Sequence, residues 1–334
     1  PEWLRERFHT PWQQCIAGST PARTTRIKPL LASLAEAFLR LRLRPQCYTS
    51  HDNILVFPFF QKLRPVGRVG RVLLGAYLLA CATLYLEQDK LILHPPAAPQ
   101  GAYSESQPWV TFEPSGPPVA TIVVFHGNAG GAKDRGYLAR PLVALGYRVA
   151  VVEYPGFDGR VGAATVASVA DQAPMDFELV QRAYPKEPLL VVGESFGAGI
   201  AAQVAGQHKA SVCGVTLVTP WYSLADLAQE SMPWFPVRHL LHRDLDSKEA
   251  LLRYGGPVTV VGAALDAVIP VHHAQRLAQA VPGAQAVIIP EVGHNNWWVR
   301  ATKADWERWL PKCPAVPKSA EPPANTDQLG IKPQ

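Results

Sequence analysis

A chain of 334 residues with 48% hydrophobic content has apolar surface enough for one large or two small cores, which excludes a wholly disordered or fibrous protein. Its net charge of +5 is unevenly held, since residues 1–71 carry 12 Lys and Arg against 4 Asp and Glu while the remainder carries 20 against 23. That split argues against a nucleic-acid partner, because a nucleic-acid-binding domain needs its positive charge on the folded part, and it suits a basic flank beside a membrane.

Residues 1–65 mix Arg, Pro and short apolar runs without a sustained period and are assigned no domain. Residues 66–90 read as a basic flank followed by a membrane anchor or signal. After Lys62, Arg64, Arg68 and Arg71 comes the uncharged run Val72–Leu86 (VLLGAYLLACATLYL), closed by Glu87, Asp89 and Lys90. Fifteen residues fall short of the ~20 that span a bilayer comfortably, but Val69 and Gly70 extend the run and Arg71 can snorkel. The basic flank predicts an N-terminal segment in the cytoplasm and everything after Glu87 outside. Two rivals are a buried core helix and a cleaved signal, the latter because Leu78-Leu79-Ala80-Cys81 loosely resembles a lipoprotein cleavage site and Ala80-Cys81-Ala82 fits small-x-small. Cleavage near Cys81 would leave a secreted protein or a lipoprotein. Leu79 and the 60-odd upstream residues weigh against it.

From about residue 105 apolar strands alternate with helical stretches, the pattern of a parallel sheet covered by helices on both faces. Thr121–Phe125, Tyr147–Val152, Leu189–Val192, Val215–Val218, Val258–Val261 and Ala286–Ile289 read as strands buried on both sides. Helices are expected over Leu138–Leu145, Met175–Tyr184, Gly197–Gly206, His272–Ala280 and Trp297–Trp309. The expected organisation is an α/β catalytic domain over residues 105–312, a short helical cap at about 220–256, and a disordered Pro-rich tail over 313–334. The five cysteines are scattered, and neither a disulfide framework nor a zinc site is readable from their spacing.

The sharpest chemical signal is Gly193-Glu-Ser-Phe-Gly197, a G-x-S-x-G between a buried strand and a helix rich in small residues. A serine hydroxyl is nearly inert at its own pKa and needs an exposed, strained turn and a nearby base. Ser195 is therefore the expected nucleophile. Upstream, His126-Gly-Asn-Ala-Gly-Gly131 directly follows the strand TIVVF and can aim a backbone N–H at a developing oxyanion. Asn128 is the expected first donor, and the residue after the nucleophile, Phe196, the second. The loop lacks the G-K-[ST] ending of a phosphate cradle, and His126 reads as a brace. The acid and base must follow in order, each after a later strand. Asp266 lies after Val258–Val261 and His294 after Ala286–Ile289, so the expected triad is Ser195, Asp266 and His294. Asp158 and Asp171 precede the nucleophile and read as loop or capping residues. His239 with His242, and His272 with His273, read as surface or core histidines, and no metal or other cofactor is implied. Trp221, Trp234 and Phe235 line an acyl pocket or pack the cap.

Together the run Tyr85–Pro96 after an apolar anchor, the HGNAGG loop, the G-E-S-F-G elbow, Met232–Leu241, the acid loop ending at Pro270 and Gly293-His-Asn-Asn296 resemble the membrane-anchored α/β-hydrolases related to the serine aminopeptidase-like and depalmitoylase-like groups. The likeness covers roughly residues 70–310. It implies one N-terminal anchor, a short helical cap and the triad just named. That family mixes esterases, thioesterases and peptidases, so it implies a small-molecule or lipid acyl substrate without naming one. In Tyr154–Arg160, Pro155 and Asp158 depart from the Tyr-Arg-Gly-Tyr-Gly-like run of relatives, and the resemblance does not extend to residues 1–65. The function expected is hydrolysis of a carboxylic ester or thioester through an acyl-enzyme, with a non-catalytic binding protein and an acyltransferase or perhydrolase as alternatives.

Overall fold

The computed structural model describes residues 67–97 and 102–313. The basic segment 1–65, and the tail beyond Cys313, lie outside the described residues. The core is a seven-stranded sheet in the order β1-β3-β2-β4-β5-β6-β7, made of β1 (Trp109–Phe112), β2 (Thr121–Phe125), β3 (Arg148–Val152), β4 (Leu189–Glu194), β5 (Val212–Val218), β6 (Val258–Ala263) and β7 (Gln285–Ile289). Every neighbouring pair is parallel except β1 with β3. Side chains alternate across a strand, so β2 sends Val123 and Phe125 into one core and Ile122 and Val124 into the other. Both faces are covered, which is why the central strands are near-continuous apolar runs.

Strand β1 was not expected. It is four residues long and buries only Trp109 fully, so it lacks the apolar run that marks its neighbours. Strand β7 departs differently: it is an edge strand with Gln285, Ala286 and Ile288 exposed, rather than buried on both faces. Helix α3 (Val166–Ala183) begins nine residues before the expected start, capped by Thr165 and running through Pro174, the residue that hides its first half from sequence inspection. The other expected helices appear as α2 (Gly136–Val143), α4 (Phe196–Gln207), α8 (His272–Ala280) and, after a single 3₁₀ turn, α9 (Lys303–Trp309).

Within 220–256 lie α5 (Leu224–Ser231), α6 (Val237–Leu240) and α7 (Ser247–Tyr254). The third packs on α4 with Ala250 and Leu251 fully buried, joining the helical layer of the main domain. Helix α1 (Arg68–Ile92) is 25 residues, ten longer than the apolar run that announced it. Its apolar stretch is long enough to cross a membrane, and none of that stretch is buried in the structure, unlike a core helix. Its end is tied to the domain by Gln88, which donates to Leu240 O and accepts from His242 N–H, and by Asp89, which accepts the N–H of Val166 at the start of α3.

Contrary to the reading of the cysteines, Cys213 on β5 is disulfide-bonded to Cys313, with Cα atoms 5.3 Å apart. A pair 100 residues apart has no local spacing signature. Closing so long a loop removes much denatured-state entropy, and loss of a native bridge typically costs about 2–5 kcal/mol. Cys213→Ser is therefore expected to lower the unfolding free energy measured in urea by about that amount under oxidising conditions, with a correspondingly lower midpoint, and to cost nothing further once the wild type has been reduced. Equal midpoints before and after reduction would show that the bridge carries no stability.

Candidate active site

The geometry begins at the end of β4. Ser195 sits between β4 and α4 with φ 54° and ψ −117°, a strained conformation for a residue with a β-carbon. The strain is held by close packing on either side. A Cβ at Gly193 would come within 2.4 Å of Gly197 O, and one at Gly197 within 2.0 Å of Phe125 O, so only glycine lets the turn approach the neighbouring strand end.

Three separate strand ends converge here. Ser195 Oγ lies 2.8 Å from His294 Nε2, and His294 Nδ1 lies 2.7 Å from Asp266 Oδ2. Asp266 is buried, and its second oxygen accepts the N–H groups of Val268 and Ile269 at 2.9 and 2.8 Å, which leaves Oδ2 aimed at the imidazole. Asp158, by contrast, accepts a hydrogen bond from Tyr103, and Asp171 pairs with Arg243.

The HGNAGG loop lies against the serine: a Cβ at Gly127 would sit 3.8 Å from Ser195 Cβ. Asn128 is fixed by the end of α1, its side chain donating to Ile92 O at 2.6 Å and its carbonyl accepting from His94 N–H at 2.8 Å. Phe196 opens α4, where a helix supplies no internal acceptor for its N–H.

Sequence inspection missed the groups that hold these loops. Glu153, directly after β3, is fully buried. Its carboxylate contacts His126 Nε2 at 3.1 Å and accepts from the N–H groups of Ala132 and Tyr154 at 2.7 and 2.9 Å, while His126 Nδ1 faces Gly127 O at 2.8 Å. Glu194, the residue directly before the nucleophile, accepts from Tyr137 OH at 2.6 Å and from Trp297 Nε1 at 3.0 Å, and Arg135 lies 3.8 Å away. One carboxylate thus joins the elbow, the start of α2 and the His294 loop. Burial, and then the Glu194 charge, push the Tyr137 hydroxyl far above its ordinary range, so it stays a donor. The signal available in sequence was position alone: both acids stand at the C-terminal ends of buried strands, where charge is otherwise costly.

Burial by itself would raise the Glu153 pKa, but the bonds from His126, Ala132 and Tyr154 outweigh it and hold the carboxyl below its ordinary 4.5. A depressed folded value contributes stability that is present above the unfolded pKa and lost as pH falls through the folded one. Glu153→Gln should accordingly cost about 1–3 kcal/mol near neutrality, with the gap from wild type narrowing below pH ~4. Thermal midpoints of both proteins across pH 3–7 check this, and a gap independent of pH would contradict it.

Against the expectation of no metal ligands stands one cluster. Glu230 on α5 faces His272 and His273 at the start of α8, with ligand atoms within 4.8 Å of one another. The Tyr222 N–H donates to His273 Nδ1 at 3.3 Å, so the Nε2 of the neutral ring carries its proton, 3.2 Å from Glu230. That arrangement is a polar contact between cap and main domain, in which His272 Nε2 lies 2.9 Å from the same Glu230 carboxylate.

Comparison with known proteins fits this architecture. The serine aminopeptidase family S33 matches residues 116–248, less than half of the chain; the span includes Asn128, Ser195 and Phe196 and stops short of Asp266 and His294. Among solved structures, Est1E from Butyrivibrio proteoclasticus, seen with ferulic acid bound, has a TM-score of 0.50 at 14% identity, covering 60% of this chain and 92% of its own. TT1662 from Thermus thermophilus also has a TM-score of 0.50, at 18% identity, covering 61% and 94%. The chain has the α/β-hydrolase fold. Nearer in sequence is an uncharacterised protein of Mycobacterium tuberculosis, 29% identical over 233 residues, or 64% of this chain and 82% of the relative. The uncharacterised YfhR protein of Escherichia coli K12 is 24% identical, over 56% and 68%.

Proposed function

We propose that this chain is a membrane-anchored serine hydrolase of the α/β-hydrolase superfamily that cleaves a carboxylic ester or thioester through an acyl-enzyme. The observation that carries the reading is the continuous hydrogen-bonded line from Ser195 through His294 to Asp266, each at the end of a different buried strand. His294 Nε2 takes the hydroxyl proton as Ser195 Oγ attacks the carbonyl carbon. The oxyanion rests on the backbone N–H groups of Asn128 and Phe196. Collapse sends the proton from His294 to the departing alcohol or thiol, and water, activated by the same imidazole, then releases the acid and restores the serine.

Helix α1 serves as the anchor, with the basic flank Lys62–Arg71 on the cytoplasmic side and the catalytic domain on the other. Two observations favour this over cleavage near Cys81: α1 runs without interruption through that residue, and its later half is docked on the domain. The Cys213–Cys313 bridge favours an oxidising compartment for the domain.

The reading is tested with a fluorophosphonate probe. Label should be found on the peptide bearing Ser195, and a folded protein that takes none would reject the mechanism.

A further inference from the structure

We infer that acyl chains reach Ser195 sideways from the bilayer, through a cleft between α1 and the cap, so that the substrate is an acyl ester whose chain lies in the membrane. The inference rests on the hydrolase reading above and adds to it a substrate class and a route.

The cleft is a cavity of about 70 Å³ walled on one side by Leu84, Leu91 and Ile92 of α1 and on the other by residues including Ala228, Met232 and Leu241 of the cap. Its one polar wall residue, Gln88, spends its amide on Tyr85 O, Leu240 O and His242 N–H, which leaves an apolar lining. At one end stands Ile92, whose carbonyl holds the Asn128 side chain, one residue from the glycine that lies against Ser195. The cleft thus shares one wall residue, Ile92, with the support of the loop proposed to bind the oxyanion.

The other end points toward lipid. Tyr77 of α1 donates to Trp234 O at 3.2 Å and stacks on Phe235, with ring centroids 5.6 Å apart. Tyr77 precedes Glu87 by ten residues, about 15 Å of helix, or roughly half of a ~30 Å hydrocarbon layer. An α1 that crosses the membrane thus carries Met232–Phe235 down into the near leaflet with it. The side chains fit that setting: Trp234 is 85% exposed, and Val72, Leu73, Leu78 and Leu79 of α1 are also exposed. Such a contiguous apolar surface needs a partner, and its continuity with a helix long enough to span identifies that partner as the bilayer. An acyl chain already among lipid tails enters the cleft without crossing water, so a long chain pays no desolvation cost and gains contact with both walls.

The full-length protein, reconstituted in phosphatidylcholine vesicles, is assayed with two esters sharing one leaving group, p-nitrophenyl acetate from the aqueous phase and p-nitrophenyl palmitate in the bilayer. Ala228→Trp fills the cleft from the cap and Leu84→Trp from α1. Rates are counted per fluorophosphonate-reactive enzyme, so that poor folding does not mimic the effect. Both variants should lower the palmitate-to-acetate ratio of kcat/KM by about tenfold or more, as expected when a pocket loses room for several methylenes. A ratio unchanged in both would overturn the route while leaving the hydrolase reading intact. A wild type that takes no probe and cleaves neither ester would reject that reading, and the route with it.

Discussion

Ser195→Ala is expected to abolish ester cleavage and fluorophosphonate labelling, with kcat falling ~10⁴-fold or more, the range seen when the nucleophile of a hydrogen-bonded triad is removed. The side chain sits at a half-exposed turn and fills no core volume, so the thermal midpoint should stay close to that of the wild type. Alanine carries the same β-carbon into the same φ of 54°, so the substitution adds no backbone strain. Substrate binding should survive, because the proposed oxyanion donors and the cleft are untouched. A variant that keeps more than about a hundredth of the wild-type rate would show that the chemistry runs elsewhere, since residual catalysis by the remaining groups lies far below that.

Asp266→Asn should be nearly as damaging, with a loss of ~10⁴-fold, for a reason visible in the hydrogen bonds. The Asp266 Oδ1 atom accepts two backbone N–H groups, from Val268 and Ile269. An asparagine must keep its carbonyl oxygen there, which turns its NH₂ toward His294 Nδ1. That nitrogen is then forced to accept, the ring proton moves to Nε2, and the imidazole meets Ser195 as a donor that cannot take the hydroxyl proton. The defect should be partly relieved as pH rises, when hydroxide assists attack, and the fold should be unchanged. A smaller loss here than for Asp158→Asn would transfer the role to the other acid.

The elements legible in the sequence share one property, that a buried parallel strand must be apolar throughout its length. Strand Thr121–Phe125 matches the observed bounds, and the strand-turn-helix setting of Ser195 follows from Val191 and Val192 on one side and the small residues after Phe196 on the other. What escaped was set by tertiary contact. Strand β1 exists because β3 offers it an edge, and nothing in Trp109–Phe112 announces this. Pro174 concealed the first half of α3, although a proline is tolerated where neighbouring packing holds the helix together. Of the site, the five expected residues stand at loops whose placement follows from strand order, whereas Glu153 and Glu194 are read as important only once their partners at Ala132, His126, Tyr137 and Trp297 are known. The pairing of Cys213 with Cys313 belongs to the same class.

That pairing has a bearing on how the molecule is made. The loop it closes contains Asp266 and His294 but leaves Ser195 outside, so acid and base belong to one covalent ring and the nucleophile to the chain that precedes it. Synthesis proceeds from the N-terminus, and among the described residues α1 emerges first and Cys313 last. The elbow and the loop of Asn128 can therefore be assembled while the ring is still open, but the imidazole and its carboxylate gain their covalent tether only after residue 313 has arrived and been oxidised. The order of the cysteines thus makes the covalent closing of the segment that carries Asp266 and His294 a late event in the making of the domain.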